Sequence, residues 1–163
     1  ARFYEYPRFT YPWHFHSEYE IIYVEKGEGD CLVGDSIISY SKGDLILFGS
    51  ELPHSMQSPP DGGEESDNEE KSEPKVRGVN IQFEKDFMHY SISQYSQFIP
   101  IRNLLEDACR GIKFTITRSG KIIKLLEQIP SAKGADQIIL LLSLLQMMAT
   151  SNHKKYLTTS HMT

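Results

Sequence analysis

Between residues 19 and 48 the apolar side chains fall in short runs separated by glycine turns. Ile21-Ile22-Tyr23-Val24 is followed by Lys26-Gly27-Glu28-Gly29, Cys31-Leu32-Val33 by Gly34-Asp35, and Ile37-Ile38-Ser39-Tyr40 by Ser41-Lys42-Gly43-Asp44, before Leu45-Ile46-Leu47-Phe48. Runs this short, rich in β-branched and aromatic residues and punctuated by glycine, read as β-strands joined by tight turns. A further run, Val76 to Phe83, follows a polar gap. Five or more short strands at this spacing predict an antiparallel barrel or sandwich. Ahead of them, Arg2 to Tyr11 is rich in Tyr and Phe but has neither period two nor period 3.6. It reads as an edge strand or a flap whose aromatics cover an open end of the core.

Beyond Phe87 the period changes. Ile101, Leu104, Leu105, Ala108 and Ile112 fall at i, i+3, i+4, i+7 and i+11, one face of a helix that stops near Gly111. A second helix is predicted around Lys121 to Ile129, ended by Pro130, and a third from about Ala135 to Thr150. The third is apolar almost all round, and such a helix has to be covered on several sides. A small barrel covers one side, so the other two helices or a second copy of the chain must supply the rest. The expected fold is mainly β with about three C-terminal helices. A β-barrel with its N-terminal arm occupies residues 1–90, and a helical packing segment of the same domain occupies residues 91–163.

At 163 residues and 39% apolar composition the chain is long enough to bury one core of its own. Cys31 and Cys109 lie far apart, which favours neither a disulfide framework nor a thiolate zinc site and fits a reducing, cytoplasmic setting. No signal peptide is recognisable, and the longest apolar stretch, Ile138 to Ala149, is too short for a bilayer, which needs ~20 residues. A soluble protein without a membrane partner is expected. The formal charge of -5 is concentrated in residues 59–74, where seven acids face only Lys71. That segment of Pro, Gly, Ser and acid reads as a solvated loop. The remainder is close to neutral and has no concentrated Lys/Arg face, so it lacks the footprint of a phosphate-gripping surface.

The chemistry gathers in two places. His14 and His16 stand two apart and Glu20 follows, while His54 closes the segment Gly43-Asp44-Leu45-Ile46-Leu47-Phe48-Gly49-Ser50-Glu51-Leu52-Pro53-His54. On a strand, residues i and i+2 face the same way, roughly 6.6 to 7 Å apart, so His14 and His16 are able to share one ligand. An unbroken strand would carry Glu20 roughly 13 Å beyond His16. The chain therefore has to turn, and Ser17-Glu18 is the place for it. Three imidazoles and a carboxylate suit Zn(II), Ni(II), Mn(II) or Fe(II), with positions left open. Histidines at a barrel mouth also serve as hydrogen-bonding core residues, and Trp13, Phe15 and Tyr19 would bury the neighbourhood in either case. Arg2 or Arg8 on the arm is placed to reach a ligand if the arm closes. No catalytic serine triad, phosphate-cradling loop or zinc-protease helix motif is present.

His14-x-His16, then Glu20 and Gly27, with Gly43-Asp44 leading to Pro53-His54, resembles the two motifs of the cupin superfamily. Pro12 to Glu20, Val33-Gly34-Asp35-Ser36-Ile37 and Gly43 to His54 resemble more closely the N-terminal sensor domain of AraC-type bacterial transcriptional regulators. Asn80-Ile81-Gln82-Phe83, Ile101 to Ile112 and the Leu-rich last helix are similar to the same group, so the resemblance covers nearly the whole chain. It implies a cupin-like antiparallel β-barrel, or double-stranded β-helix, that senses a small molecule, often a carbohydrate. It further implies a homodimer through the C-terminal helices, and DNA contact only through a C-terminal domain absent from this chain. The expected ligand contacts are His14, His16, Glu20 and His54, with Trp13, Tyr23 and Arg8 around them. The first four are also the expected metal ligands if a divalent ion is bound. The rival from another class is a metal-dependent cupin enzyme, an isomerase or dioxygenase, using the same four residues. A third reading is a dimerisation module whose barrel is filled by Phe15, Phe48 and Tyr40. The second motif departs from the cupin pattern, with Gly49-Ser50-Glu51 where Pro-x-Gly is common.

Overall fold

A computed structural model describes residues 1–9, 16–59, 76–116 and 120–158. Among them are nine strands in two antiparallel sheets, followed mostly by helices. The strands are β1 (Arg2–Tyr6), β2 (Tyr19–Lys26), β3 (Gly29–Val33), β4 (Ser36–Tyr40), β5 (Asp44–Phe48), β6 (His54–Gln57), β7 (Val76–Phe83), β8 (Ile112–Thr115) and β9 (Lys154–Tyr156). The helices are α1 (His89–Gln94), α2 (Ile99–Asp107), α3 (Gly120–Gln128) and α4 (Ala135–Ala149). A six-stranded sheet runs in the order β1-β7-β2-β5-β8-β9, and a three-stranded sheet in the order β4-β3-β6. The fold is the cupin-like one that the resemblance implied, mainly β with its helices toward the C-terminus.

Side-chain alternation explains why β2 and β5 read as unbroken apolar runs. Successive residues on a strand face opposite sides, and both faces of these two central strands are covered. On one side Ile22, Val24, Ile46 and Phe48 pack against Cys31, Val33, Tyr40 and Met56 of the small sheet, with Tyr4, Phe9, Leu52 and Val76 closing the same core. On the other side Ile21, Tyr23, Leu45 and Leu47 form a second core with Ile101 and Leu104 of α2, Ile122 and Leu126 of α3, and Leu141, Leu144, Leu145 and Met148 of α4. The arm is an edge strand. β1 pairs with β7 from Arg2↔Asn80 to Tyr6↔Val76.

The helices stand where the periodicity put them, with two differences. The first predicted helix ends as α-helix at Asp107 and tightens to a 3-10 turn over Ala108–Arg110, and Gly111 at φ 71° leaves the helical path. A left-handed glycine is a common helix terminator. Ile112, read as the last residue of that helix's apolar face, therefore opens β8 instead, pairing Leu47↔Ile112. The short α1 and the three-residue β9 are additional elements too brief to leave a periodic signal. The solvated loop expected over residues 59–74 lies between β6 and β7, and all of it but Pro59 is outside the described residues. No helix among the described residues is long and apolar enough to cross a membrane.

Candidate functional site

The chain bends at Ser17 and Glu18 before β2 begins, and that bend brings His16 back over Glu20. Glu20 is the first inward-facing residue of β2, paired with Phe48 at the end of β5 and with Gln82 on β7. His54 is the first residue of β6. Its ring lies flat on that of Phe48, centroids 3.9 Å apart and 4° from parallel. One potential ligand atom from each of His16, Glu20 and His54 lies within 4.8 Å of the other two.

Glu20 is the hub. Oε1 lies 2.6 Å from His54 Nε2 and 3.3 Å from His16 Nε2. Oε2 accepts from Asn80 Nδ2 at 2.6 Å and from Gln82 Nε2 at 3.2 Å. A buried carboxylate persists only when its oxygens are satisfied, and two amide donors on Oε2 with two imidazole nitrogens facing Oε1 surround this one. Burial by itself would raise the Glu20 carboxyl, but the hydrogen bonds from His54 and Asn80, the charge interaction with His54 and the bond from Gln82 outweigh it and hold the group down at about 2.

Each imidazole is fixed by its far nitrogen. His54 Nδ1 donates to the Leu52 carbonyl at 2.7 Å, and His16 Nδ1 lies 3.1 Å from the Glu18 carbonyl. A carbonyl only accepts, so Nδ1 carries a proton in each such bond. That leaves Nε2 of each ring aimed at Glu20. The Nε2 contacts are hydrogen bonds when those nitrogens are protonated too. With Nε2 bare, the two lone pairs and Oε1 converge on the place of a cation. A histidine anchored through one nitrogen to a carbonyl is the usual support for a metal ligand, so the donor set present fits a divalent ion. His16 is further tied by its backbone, whose carbonyl accepts from the Glu51 N–H at 2.7 Å. Glu51 adopts φ 66°, the left-handed conformation that glycine would take more easily, at the position where the cupin pattern has its glycine.

The site opens to solvent through His16, whose side chain is 21% exposed, and through Gln82. Three of the expected residues are thus together: His16, Glu20 and His54. His14, Trp13 and Phe15 lie outside the described residues. Tyr23 is not brought to the cluster, because its odd position on β2 turns it to the helix side, where it packs in the second core. Arg8 is not brought there either. It donates to the carbonyls of Pro59 at 2.8 Å and Ser58 at 3.4 Å, just past the end of β6 opposite His54. Its neighbour Phe9 is fully buried against Tyr4 and Tyr40. A cleft of about 410 Å³ lies at that far end, lined by Glu28, Asp30, Ser39, Tyr40, Ser41 and Pro59 among others. Asn80 and Gln82 are the site residues that reasoning from motifs missed. The signal was there in the alternation of Val79, Ile81 and Phe83 with these two amides, which puts both on the face of Glu20.

No curated protein matches the sequence. Among solved structures the chain is similar to apo ToxT K231A from Vibrio cholerae strain SCE256, with a TM-score of 0.55 and 16% identity over 90% of this chain and 52% of that one. It is similar also to unsaturated fatty acid bound wild-type ToxT from the same strain, at TM-score 0.52 and 16% identity over 90% and 50%. A third is ToxT from Vibrio cholerae O395 bound to (E)-4-(8-methylnaphthalen-1-yl)but-3-enoic acid, at TM-score 0.54 and 13% identity over 88% and 52%. At these identities the likeness is one of fold, and the chain spans about half the length of the structures it matches. Residues 1–67, which contain the His16, Glu20 and His54 cluster, match the family model of the AraC-like ligand binding domain.

Proposed function

We propose that this domain senses a small polar effector for a cytoplasmic bacterial transcription regulator, at the barrel mouth built by His16, Glu20 and His54. The observation that carries the reading is the convergence of two imidazoles, a carboxylate and the amides of Asn80 and Gln82 at a solvent-reachable end of the barrel, within the segment matched to AraC-like ligand binding domains. Such a set offers both donors and acceptors, as the hydroxyls of a carbohydrate require. His14 and Trp13, two and three residues ahead of His16, belong to the same proposed site. Phe48 and Tyr40 fill the inner core as a purely structural barrel would require, which supports a site at the mouth over one in the barrel interior. The ToxT structures carry an acid ligand in two instances, which makes carboxylates the second class to try.

Domain organisation and partners belong to the same proposal. Residues 1–90 supply the barrel, residues 91–163 supply helices that pair two copies, and DNA is contacted by a segment outside these residues. The exposed Ile138 and Ile139 on α4 support the pairing. Effector binding would then bias one dimer arrangement over another by its differential affinity.

A second reading has its own observation. His16 and His54 each turn Nδ1 to a carbonyl and Nε2 to Glu20, which favours a Zn, Ni, Mn or Fe ion held by His16 Nε2, Glu20 Oε1 and His54 Nε2. Such an ion would supply a Lewis-acid point for an oxygen-bearing ligand, in a sensor or in a cupin isomerase or dioxygenase.

Isothermal titration against sugars, sugar acids and medium-chain carboxylic acids, repeated on His16→Ala, tests the sensor. One class is expected to bind the wild type, and the variant is expected to lose at least about tenfold in affinity. Unaltered binding by the variant would remove the site assignment. Metal analysis of protein purified without chelator separates the readings: a stoichiometric ion with turnover selects the enzyme.

A further inference from the structure

The turn between β5 and β6, residues 49–53, touches the site on one side and the helical layer on the other. Toward the site, the Glu51 N–H holds the His16 carbonyl, the Leu52 carbonyl takes the His54 Nδ1 proton, and Phe48 at the turn's start carries the His54 ring. Toward the helices, Gly49 runs against the 3-10 turn that ends α2. A Cβ on Gly49 would stand 2.6 Å from the Ala108 oxygen and 2.9 Å from the Cys109 nitrogen. No side chain fits there, so a shift of this strand end toward residues 108–109 presses backbone on backbone.

The segment it presses on clamps the C-terminal strand. Asp107 accepts from the Tyr156 hydroxyl at 3.1 Å, and the Arg110 guanidinium covers the Tyr156 ring at 4.4 Å. Arg110 also donates to the Thr158 carbonyl from Nε at 3.2 Å and from a terminal nitrogen at 3.0 Å. In return the backbone N–H groups of Leu157 and Thr158 donate to the carbonyls of Gly111 and Arg110, at 2.9 and 3.0 Å. A second connection runs through the sheet itself, where Glu20↔Phe48, Leu47↔Ile112 and Ile112↔Tyr156 form adjoining pairs from the cluster to β9.

We propose that the 49–53 turn couples the His16, Glu20 and His54 cluster to the hold on residues 156–158, so that a change in the cluster loosens or tightens the C-terminal strand. Packed interiors move between discrete arrangements more readily than they deform, and the Gly49 contact leaves no room for a side chain between the turn and residues 108–109. Coupling of this kind is reciprocal: disturbing the clamp must also disturb the imidazoles. The inference rests on the sensor reading only in taking the cluster as the input. Its test uses substitutions and no ligand, so the failure of every effector to bind leaves it standing.

Hydrogen exchange on the 163-residue protein reads the forward direction. His54→Gln is expected to speed exchange at Leu157 and Thr158 at least about fivefold, the lower end of ordinary coupling, relative to Cys31→Ala. That control destabilises the same inner core from β3, away from the turn. Equal acceleration in the two variants, after scaling each to its own global stability, would overturn the proposal. The reverse direction is read by the imidazole nitrogen resonances of His16 and His54 in Arg110→Ala. They are expected to shift, and unmoved resonances overturn the coupling equally. Should His54→Gln fail to melt cooperatively, the Arg110→Ala spectrum decides alone.

Discussion

The Nε2 nitrogen of His54 stands 2.6 Å from Oε1 of Glu20, with both side chains buried. Thirty-four positions separate the two residues, and the bond joins the first residue of the small sheet's β6 to the start of β2 in the large sheet. It ties the sheets together at the open end of the barrel and sets the charge of the site.

Replacing Glu20 by Gln tests that role. The amide keeps the shape but turns an NH2 either toward the imidazoles or toward the amide donors of Asn80 and Gln82, and leaves the opposing groups uncompensated. Breaking a buried pair from one side costs roughly 3 kcal/mol or more, and chemical denaturation at pH 7 measures it. The pH dependence has a definite sign. The Glu20 carboxyl is held at about 2 against an ordinary 4.5, so the folded state binds the proton less readily than the unfolded chain. The stabilisation is complete above pH 4.5 and drains away as pH falls toward 2, by roughly 3 kcal/mol at about 1.4 kcal/mol per unit. In Glu20→Gln that part of the stability-against-pH curve is expected to flatten. A curve as steep as the wild type's between pH 5 and 2 would move the acid sensitivity to other carboxylates.

Much of this arrangement was legible beforehand, for reasons that differ residue by residue. The runs 21–24 and 45–48 were readable as strands because both faces of β2 and β5 are buried. The need for a bend followed from strand rise once Glu20 was taken to join His16, and the structure has it at Ser17 and Glu18. Tyr23 stands away from the cluster by strand parity: even positions of β2 look into the barrel and odd ones at the helices. The position of Arg8 was not legible, because its partners are backbone carbonyls, which leave no mark in a sequence. β8 was hidden because Ile112 happens to continue the helical spacing of Ile101, Leu104 and Ala108, and only the left-handed Gly111 separates the two.

Gly78 reports on the arm. A Cβ there would stand 1.9 Å from the Tyr23 carbonyl oxygen and 2.7 Å from the Tyr4 hydroxyl, which itself donates to that carbonyl at 2.9 Å. Gly78→Ala is expected to push β1 off β7, since Gly78 is the partner of Tyr4 in the ladder. Amide exchange of residues 2–6 should rise by about tenfold or more, as for a cost above ~1.4 kcal/mol, while α2 to α4 stay protected. Protection of the arm equal to wild type would show that the strand accommodates the methyl group.

The two cysteines should behave differently. Cys31 is fully buried in the inner core, and burial pushes its thiol up to about 12, with Lys113 lowering it and Glu20 raising it to lesser degrees. The thiolate is the reactive form, so Cys31 is expected to resist alkylation at pH 8 until the domain unfolds, while the partly exposed Cys109 is modified in the native state. Counting modified thiols by intact mass with and without denaturant checks this. Native-state labelling of Cys31 would mean that the inner core opens far below the unfolding threshold.

The last prediction concerns α4. Its inner face, Leu141, Leu144, Leu145 and Met148, is buried, yet Ile138 and Ile139 are 45% and 57% exposed at its N-terminal half. Two isoleucines left in water contribute little to the monomer, so Ile139→Asp should leave thermal stability within about 0.5 kcal/mol of wild type, as for an ordinary surface change. If a second copy covers them, a buried unpaired carboxylate at the interface is strongly unfavourable, and the dimer should dissociate at micromolar concentration. Light scattering after size exclusion measures both species. A wild type that is dimeric and a variant that remains so would place the interface elsewhere. A wild type that is monomeric throughout would remove the pairing of helices from the proposed function and leave the sensor site to act within a single chain.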